Sequence, residues 1–185
     1  MTTRAPVASR TTRLDGVEQV DTPAGRFWFG IDAAGGPVGG FEVLGLPPAD
    51  ARLAPRSWSL ATRLDRHFGG ALERFADLPL PRGTPFQRAC WDAIRRQEPG
   101  SRCSYAELAA LAGRPGAARA AGGAMRRNPA PILVPCHRVV AADGSIGGYA
   151  GAWGDGAAGT RIKQTLLAFE ASGTNRAQPP AAAHR

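Results

Sequence analysis

Explicit helix boundaries in the second half of the chain constrain its fold more than any other feature. Thr84-Pro85-Phe86-Gln87 supplies an N-cap, a proline at the first helical position and a capping-box glutamine, so a helix begins here. Ser104-Tyr105-Ala106-Glu107 is a second capping box and predicts a short helix. Pro115 starts a third helix, which must end near Asn128-Pro129. The turn at 113–116 predicts a helix-turn-helix, with an ordinary helical hairpin as the alternative.

The first half shows the patterns of a small sheet and one helix. Phe27, Phe29 and Ile31 alternate like a strand with one buried face. Residues 38–44 can return as a second strand after a glycine-rich turn. Apolar residues then recur at helical spacing over 58–68, and two glycines end that helix. We therefore expect an antiparallel sheet with a helix, followed by a helical second half, which is an α+β fold.

Composition marks the boundaries between these parts. Residues 1–18 show weak periodicity, and residues 172–185 are rich in alanine, proline and polar side chains, so both ends are expected to be disordered. Leu78-Pro79-Leu80-Pro81-Arg82-Gly83 is typical of a linker. The predicted organisation is an N-terminal arm at 1–18, an α/β domain at 19–78, a linker at 79–83, a second domain at 84–171 and a tail at 172–185.

Positive charge is concentrated in one segment of the chain. The whole sequence carries +8, and residues 82–138 contain ten arginines and three acidic residues, a net charge of +7. A face of this density attracts nucleic acids by releasing their counterions. The alternative is a compositional bias, since the sequence has 22 arginines and one lysine.

Composition also argues against several classes of protein. No run approaches eighteen apolar residues, and the N-terminus lacks the apolar core of a secretory signal, so we expect no membrane span and a cytoplasmic location. The three cysteines are odd in number and lack CxxC spacing, which predicts free thiols in a reducing compartment. They form no zinc-finger spacing with the three histidines, and we expect neither a metal nor a cofactor.

The third predicted helix has almost no side-chain bulk. Residues 117–124 are alanine or glycine except for Arg119. Gly122 and Gly123 each destabilise a helix by on the order of 1 kcal/mol relative to alanine. Close approach to another backbone compensates for that loss. Arg119 therefore projects from a smooth helix, where a solvated surface charge is the alternative interpretation.

A thiol and an imidazole are adjacent in Pro135-Cys136-His137-Arg138. A cysteine is mostly protonated at neutral pH, and a histidine can remove its proton. Adjacent residues on an extended strand point to opposite faces, so we expect no direct contact between Cys136 and His137, and a bridging water is consistent with that geometry. A cysteine hydrolase is one alternative, although nothing in the sequence indicates an oxyanion hole or turnover.

An ordered set of motifs gives this pair a context. The motifs are Arg119-Ala120-Ala121-Gly122-Gly123-Ala124-Met125, Asn128-Pro129, Pro135-Cys136-His137-Arg138, Gly148-Tyr149-Ala150-Gly151 and Leu166-Leu167-Ala168-Phe169-Glu170. Together they resemble the O6-alkylguanine-DNA alkyltransferases, the Ogt-type methylated-DNA–protein-cysteine methyltransferases. The resemblance is close over residues 82–171 and looser over residues 20–80. It implies a small ribonuclease-H-like α/β domain followed by a helical winged-helix-like domain that binds DNA and carries the active site.

The resemblance also implies direct reversal of DNA damage. An alkyl group on O6 of a flipped-out guanine would move irreversibly to Cys136 in a single turnover, and O4 of alkylated thymine is a further candidate substrate. The implied partner is alkylated double-stranded DNA, and the implied state is a monomer. The rival within this resemblance is a noncatalytic lesion-binding relative, which lacks the acceptor cysteine, and Cys136 argues against it.

The same resemblance implies a role for each matched residue. In catalysis, Cys136 is the acceptor, His137 the base acting through a water, Glu170 the acid that orients it, Asn128 the brace of the active-site loop and Tyr105 the proton donor to guanine N3. The DNA contacts are Ala118, Arg119, Ala120, Gly122, Gly123 and Arg126, with Arg119 entering the base stack. The pocket for the alkylated base is formed by Met125, Val139, Tyr149, Ala150 and Gly151.

Three departures from the family pattern concern the pocket. Ala150 stands where many relatives have serine, and Ile162 stands where arginine is usual, with Lys163 in register. The loop before the last helix is also longer, and its segment 152–160 is rich in glycine and alanine. Such a segment has high conformational freedom. We expect a loop at 152–160 that is either a mobile flap on the pocket or a surface insertion without influence on it.

Overall fold

The computed structural model describes residues 14–32, 35–44, 59–146, 149 and 156–177. These residues combine strands and helices in an α+β arrangement, as the sequence predicts. An antiparallel sheet and one helix form the first half, and helices with a small parallel sheet form the second. One apolar core runs through both halves and includes Val20, Phe27, Cys136 and Leu166.

The first sheet is a meander of three antiparallel strands in the order β1-β2-β3. They are β1 (Leu14–Thr22), β2 (Gly25–Asp32) and β3 (Pro37–Phe41). The central strand β2 buries residues 27–30 without interruption, because both of its faces are covered. The alternation of Phe27, Phe29 and Ile31 therefore predicts the strand correctly but shows only part of its burial.

Strand β1 shortens the expected N-terminal arm. Residues 14–18 were expected to be disordered within an arm at 1–18, but Val17 pairs with Gly30 and Glu18 with Phe29. Val17, Glu18 and Val20 are all buried, so β1 lacks the period of two that identifies a strand from sequence. Residues 1–13 lie outside the described residues.

One helix of the first half packs against β1. It is α1 (Ser59–Arg66), continued by a π-helical turn at His67–Ala71. Leu60, Ala61 and Leu64 bury one face in the common core, and Ala61 and Leu64 belong to the predicted helical pattern. Gly70 has a φ of 105°, a conformation that favours glycine, and interrupts the helical backbone there. Trp58, which belongs to the same pattern, lies outside the described residues.

Three helices of the second half are present as predicted. They are α2 (Pro85–Arg95), α3 (Tyr105–Leu111) and α4 (Ala118–Arg126). The two that follow capping boxes begin where predicted, whereas the third begins at Ala118, three residues after Pro115. At the start of α2, the Thr84 side chain accepts from Gln87 N, and Gln87 Oε1 accepts from Thr84 N. Ser104 and Glu107 make the same reciprocal bonds at the start of α3. These bonds satisfy backbone donors that a helix start leaves unpaired.

A two-stranded parallel sheet places the Cys-His segment beside the start of α3. It consists of β4 (Cys103–Ser104) and β5 (Val139–Val140). The segment Cys136–Arg138 forms a 3-10 turn, in which Arg138 N donates to Pro135 O at 3.0 Å. The extended conformation expected for Cys136 and His137 is therefore wrong, because the chain turns once before it enters β5.

The last helix, α5 (Gly156–Ala177), is longer than the sequence predicts at both ends. Residues 156–160 of the expected loop at 152–160 are its first turn, and residues 172–177 of the expected tail are its last turns. Glycine-rich sequence is compatible with a helix here because Gly159 packs closely against the backbone of Tyr149. Residues 152–155 and 178–185 lie outside the described residues.

Backbone oxygens join the two halves of the chain. Gly39 N in β3 donates to Pro129 O at 2.9 Å. Two arginines of α2 hold the segment before it: Arg88 and Arg95 donate to backbone oxygens of residues 78–81. The predicted linker is thus fastened to the helix that follows it.

Gly39→Ala should destabilise the fold, because the added Cβ would lie 2.7 Å from Trp28 O and 2.8 Å from a ring carbon of Phe27. Overpacking of a buried site costs about 1–3 kcal/mol, which urea denaturation should show as a lower free energy of unfolding. Gly69→Ala is the matched control, since nothing lies within 4 Å of its added Cβ. Equal free energies of unfolding for the two variants would contradict this account of Gly39.

Candidate active site

The Cys136 thiol is buried at the start of the 3-10 turn, and 7% of the residue is exposed. Asn128 Nδ2 donates to its sulfur at 3.2 Å and to Val134 O at 2.8 Å. Asn128 Oδ1 accepts from Ala130 N at 3.0 Å. One amide side chain therefore holds the loop from residue 128 to residue 134 and also places a donor on the sulfur.

The imidazole of His137 is hydrogen-bonded to α5. Its Nε2 lies 2.9 Å from Glu170 Oε1, and both side chains are almost fully buried. An ionised carboxylate only accepts hydrogen bonds, so the proton of the neutral ring lies on Nε2. The other ring nitrogen, Nδ1, is buried without a hydrogen-bond partner among the described residues. Nδ1 carries the free lone pair and can accept a proton.

Donors surround the Glu170 carboxylate. Besides His137, Arg138 donates through Nε and Nη2 at 2.8–3.2 Å, and Gly100 N donates at 2.9 Å. Arg138 Nη1 donates to Gln97 O at 2.9 Å. Burial would raise the pKa of Glu170, but the hydrogen bonds from His137 and Arg138 outweigh burial and lower that pKa. Glu170 therefore stays ionised inside the protein.

Burial sets the resting protonation state of the thiol and the imidazole. Burial raises the pKa of Cys136, and the Asn128 amide and the Lys163 charge oppose that shift only in part. Burial lowers the pKa of His137, and the hydrogen bond to Glu170 opposes that shift only in part. The resting pair is therefore a thiol and a neutral imidazole. Sulfur then holds the proton and nitrogen has a lone pair to accept it, but both pKa shifts oppose the transfer, so groups that stabilise the thiolate are needed.

Lys163 is the one lysine of the sequence, and its side chain is buried in α5. Its Nζ donates to Val139 O at 2.6 Å. Burial lowers the pKa of Lys163, whereas the charge of Cys136 raises it. A buried ammonium with only a neutral partner is unfavourable, and an anionic Cys136 sulfur would stabilise it.

The structure describes three of the five residues expected to form the pocket. Met125, Val139 and Tyr149 are buried and belong to the same apolar core as Cys136. The other two, Ala150 and Gly151, lie outside the described residues. The part of the expected pocket that the structure describes is therefore apolar, which suits a wall against a planar base.

Tyr149 is near both the Cys136 sulfur and the start of α5. Its hydroxyl is near enough to the sulfur to lower the pKa of Cys136, but it makes no hydrogen bond among the described residues. At the start of α5, a Cβ added to Gly159 would lie 2.5 Å from Tyr149 O. Glycine at position 159 therefore allows α5 to approach the backbone of this pocket residue.

Tyr105 is the first residue of α3 and lies against α4. A Cβ added to Gly122 would lie 3.7 Å from its ring. Burial raises the pKa of Tyr105, and the charge of Cys136 raises it further. The phenol therefore keeps its proton at neutral pH, and its pKa depends on the charge of the Cys136 sulfur.

Helix α4 has one buried face and one open face. Ala121, Ala124 and Met125 are buried. Of the residues expected to contact DNA, Arg119, Ala120 and Arg126 are exposed, and Ala118, Gly122 and Gly123 are half-buried. A groove of about 590 Å³ between α4 and the start of α2 has Arg119 and Arg127 in its lining. The open face combines small side chains with positive charge, which suits a polyanion.

Three residues of the site were not singled out by their sequence patterns. Arg138 stands in the Cys-His motif, and its position before Val139-Val140 was the available sign that it is buried. Lys163 was noted as the one lysine beside 22 arginines and as a match in register, but its place beside Val139 and the Cys136 sulfur was not predicted. Gly100 contributes only a backbone N–H, at a φ of 81°, which no side-chain motif reveals.

Other kinds of functional site have little support among the described residues. No group of three His, Cys, Asp or Glu side chains among them could hold a metal ion. None of the described helices has both the length and the apolar character needed to cross a membrane. The other two cysteines, Cys90 and Cys103, are buried free thiols, and burial raises the pKa of Cys103 to about 11. Cys136 therefore differs from them through its polar partners.

Comparison with known sequences assigns these motifs to one family of proteins. Residues 85–172 match the model described as 6-O-methylguanine DNA methyltransferase, DNA binding domain. The methylated-DNA–protein-cysteine methyltransferase of Rattus norvegicus is 50% identical over 84 residues, 45% of this chain and 37% of the rat protein. That of Mycolicibacterium paratuberculosis is 45% identical over 118 residues, 63% of this chain and 67% of that protein. The chain thus spans between 37% and 67% of the length of these two relatives.

Solved structures match over more of the chain. OGT of Mycobacterium tuberculosis in complex with DNA superposes with a TM-score of 0.71 at 33% identity, covering 85% of this chain and 94% of that one. O6-methylguanine-DNA methyltransferase of Pyrococcus kodakaraensis superposes with a TM-score of 0.59 at 27% identity, covering 84% and 98%. With its active-site motifs, its fold and these relatives in agreement, the chain belongs to the methylated-DNA–protein-cysteine methyltransferase family.

Proposed function

We propose that this protein repairs DNA by transferring an alkyl group from O6 of guanine to the sulfur of Cys136. The observation that carries the proposal is the buried thiol beside His137, whose Nδ1 is free and whose Nε2–H is bonded to ionised Glu170. A thiolate is the soft nucleophile that displacement at an alkyl carbon needs, and a neighbouring base can produce it. The relatives carry the name methylated-DNA–protein-cysteine methyltransferase, which describes this reaction.

In the proposed step, one bond to the alkyl carbon replaces another. His137 Nδ1 accepts the thiol proton through an intervening water, and the thiolate attacks the alkyl carbon. The S–C bond forms as the C–O6 bond breaks, and the electron pair of the broken bond stays with guanine. Tyr105 donates a proton to guanine N3 and regains one from the site, so that the net proton transfer runs from sulfur to base. Because the thioether is not easily hydrolysed, each molecule reacts once.

The neighbours of the sulfur support this chemistry. Asn128 Nδ2 donates to it at 3.2 Å, and hydrogen bonds to the charged form of a group favour that form. The Lys163 ammonium acts in the same direction. Both groups are held in place before reaction, Asn128 by the loop at 128–134 and Lys163 by Val139 O. They therefore stabilise the developing thiolate without rearrangement.

A base in a duplex cannot reach a buried sulfur, so the proposal includes base flipping. Helix α4 would lie in the minor groove, where Gly122 and Gly123 permit close approach to the DNA backbone. Arg119 would enter the base stack in place of the flipped nucleotide, since a guanidinium is planar and stacks on bases. The exposure of Arg119 supports this placement, and the similar M. tuberculosis OGT, solved in complex with DNA, supports DNA as the partner.

Finer features of the proposal rest on the family resemblance. They are repair of O4-alkylthymine, a monomeric state and a cytoplasmic location. A ribonuclease-H-like character for residues 19–78 is supported by the three-stranded meander with its helix. A winged-helix-like character for residues 84–171 is supported by the α3-turn-α4 pair.

Cys136→Ala should abolish alkyl transfer, because the acceptor sulfur is then absent. After incubation with duplex DNA containing O6-methylguanine, mass spectrometry should find one added methyl group on the Cys136 peptide of the unaltered protein and none in the variant. Cys90→Ala is the matched control, since Cys90 is a buried thiol of the apolar core, and it should still gain one methyl group. Transfer to Cys90 or Cys103 at the normal rate would contradict the assignment.

Arg119→Ala should slow repair of duplex DNA by about 10- to 100-fold, because stacking on a base contributes on the order of 1–3 kcal/mol. Reaction with free O6-benzylguanine should keep its rate, since no base has to leave a stack. Arg126→Ala removes the same charge from the exposed end of α4 and is the control for lost electrostatic attraction. Any slowing of repair in this variant should depend only on the salt concentration. Equal slowing of Arg119→Ala on both substrates would show that Arg119 supports the pocket instead.

Gly159→Ala should alter the pocket through Tyr149, whose backbone oxygen would lie 2.5 Å from the added Cβ. A misplacement of about 1 Å costs on the order of 100-fold in rate, and we expect benzyl transfer to slow more than methyl transfer. Gly156→Ala is the control on the same helix, since its Cβ would meet nothing within 4 Å. The benzyl-to-methyl rate ratio is the measurement, and an unchanged ratio in Gly159→Ala would show that the start of α5 does not shape the pocket.

A further inference from the structure

Arg138 is a buried side chain of the site that has no part in the transfer reaction described above. It is 3% exposed. Its Nε and Nη2 donate to Glu170, and its Nη1 donates to Gln97 O. A guanidinium on a carboxylate with several short contacts is a strong, charge-assisted interaction. The same carboxylate accepts the Nε2–H of His137 at 2.9 Å, so Arg138 and His137 share one anion.

We propose that Arg138 is a positioning residue that keeps His137 neutral until the Cys136 thiol gives up its proton. This inference rests on the proposed transfer reaction, in which His137 is the base. The guanidinium takes up most of the acceptor sites of Glu170, which fixes the carboxylate and also offsets its negative charge. Glu170 then orients the imidazole without holding an imidazolium.

The charges around His137 make a proton from solvent unfavourable on its ring. The facing groups are Glu170 and Lys163 on α5, Cys136 and Arg138 on the 3-10 turn, His67 on the π-helical turn, and Tyr149. Burial lowers the pKa of His67 to about 4, so His67 is neutral at neutral pH, as is the phenol. With the thiol protonated, this group holds two cations and one anion. A third buried cation is repelled, because charges inside a protein are weakly screened.

Proton transfer from Cys136 to His137 differs from protonation by solvent. It creates a thiolate together with the imidazolium, so the net charge of the group does not change. The Lys163 charge favours the thiolate and disfavours an imidazolium on His137. Arg138 therefore disfavours protonation of His137 by solvent but does not prevent proton transfer from Cys136. His137 remains available as a base at acidic pH.

The pH dependence of Arg138→Gln and Arg138→Lys tests this inference. Reaction with free O6-benzylguanine, followed by the mass of the Cys136 peptide, avoids any effect on DNA binding. Glutamine removes the charge but keeps a donor, and the pH at which the rate falls to half on acidification should rise by about one unit. Lysine keeps the charge and should leave that midpoint within about 0.3 unit, even where the rate falls.

Arg95→Gln is the matched control. Arg95 is also a buried arginine, 5% exposed, but it donates to Leu78 O away from the site. Its loss should lower stability without moving the midpoint. An unchanged midpoint in folded Arg138→Gln, or equal shifts in the glutamine and lysine variants, would overturn the proposal and leave Arg138 a structural brace.

A measurement on the unaltered protein decides the question even where Arg138→Gln does not fold. Nitrogen NMR should show the His137 ring neutral and protonated on Nε2, with a titration midpoint below the ordinary 6.5. A midpoint at or above 6.5 would overturn the proposal. The proposed function fails separately, when the unaltered protein gains no benzyl group on Cys136 at any pH.

Discussion

The buried carboxylate of Glu170 connects three parts of the protein that are distant in sequence. It projects from α5, accepts from His137 and Arg138 of the 3-10 turn, and accepts from Gly100 N in the segment between α2 and β4. Removing one partner of a buried ion pair typically destabilises a protein by about 3–5 kcal/mol, a large part of the stability of a domain. The packing of α5 and the orientation of the imidazole therefore depend on one side chain.

The parts of the fold that were predicted correctly depend on short-range signals. The capping boxes at Thr84 and Ser104 join residues three positions apart, and the helices α2 and α3 start where these boxes place them. The start of α5 was missed because glycine at residues 156 and 159 favours a loop in a local pattern. Its helical conformation depends on a close contact with Tyr149, ten residues earlier, which no helix propensity contains.

The candidate site was predictable only where a motif or a resemblance marked it. Cys136 and His137 are adjacent, and a thiol beside an imidazole carries its own chemical meaning. The contacts that control the pair span longer distances: Arg138 meets Glu170 across 32 positions, and Gly100 meets it across 70. Such contacts depend on how helices pack, and a charged residue in a motif does not disclose whether its partner is water or a buried carboxylate.

The position of Lys163 determines how the protein responds to chemistry directed at lysine. It is the one lysine of the sequence, and its ammonium is buried against Val139 O. Enzymes and reagents specific for lysine side chains therefore find no other lysine. They can reach this one only when α5 separates from β5, which exposes the surroundings of the sulfur as well. Modification of lysine in this protein is thus a direct record of how often its interior opens.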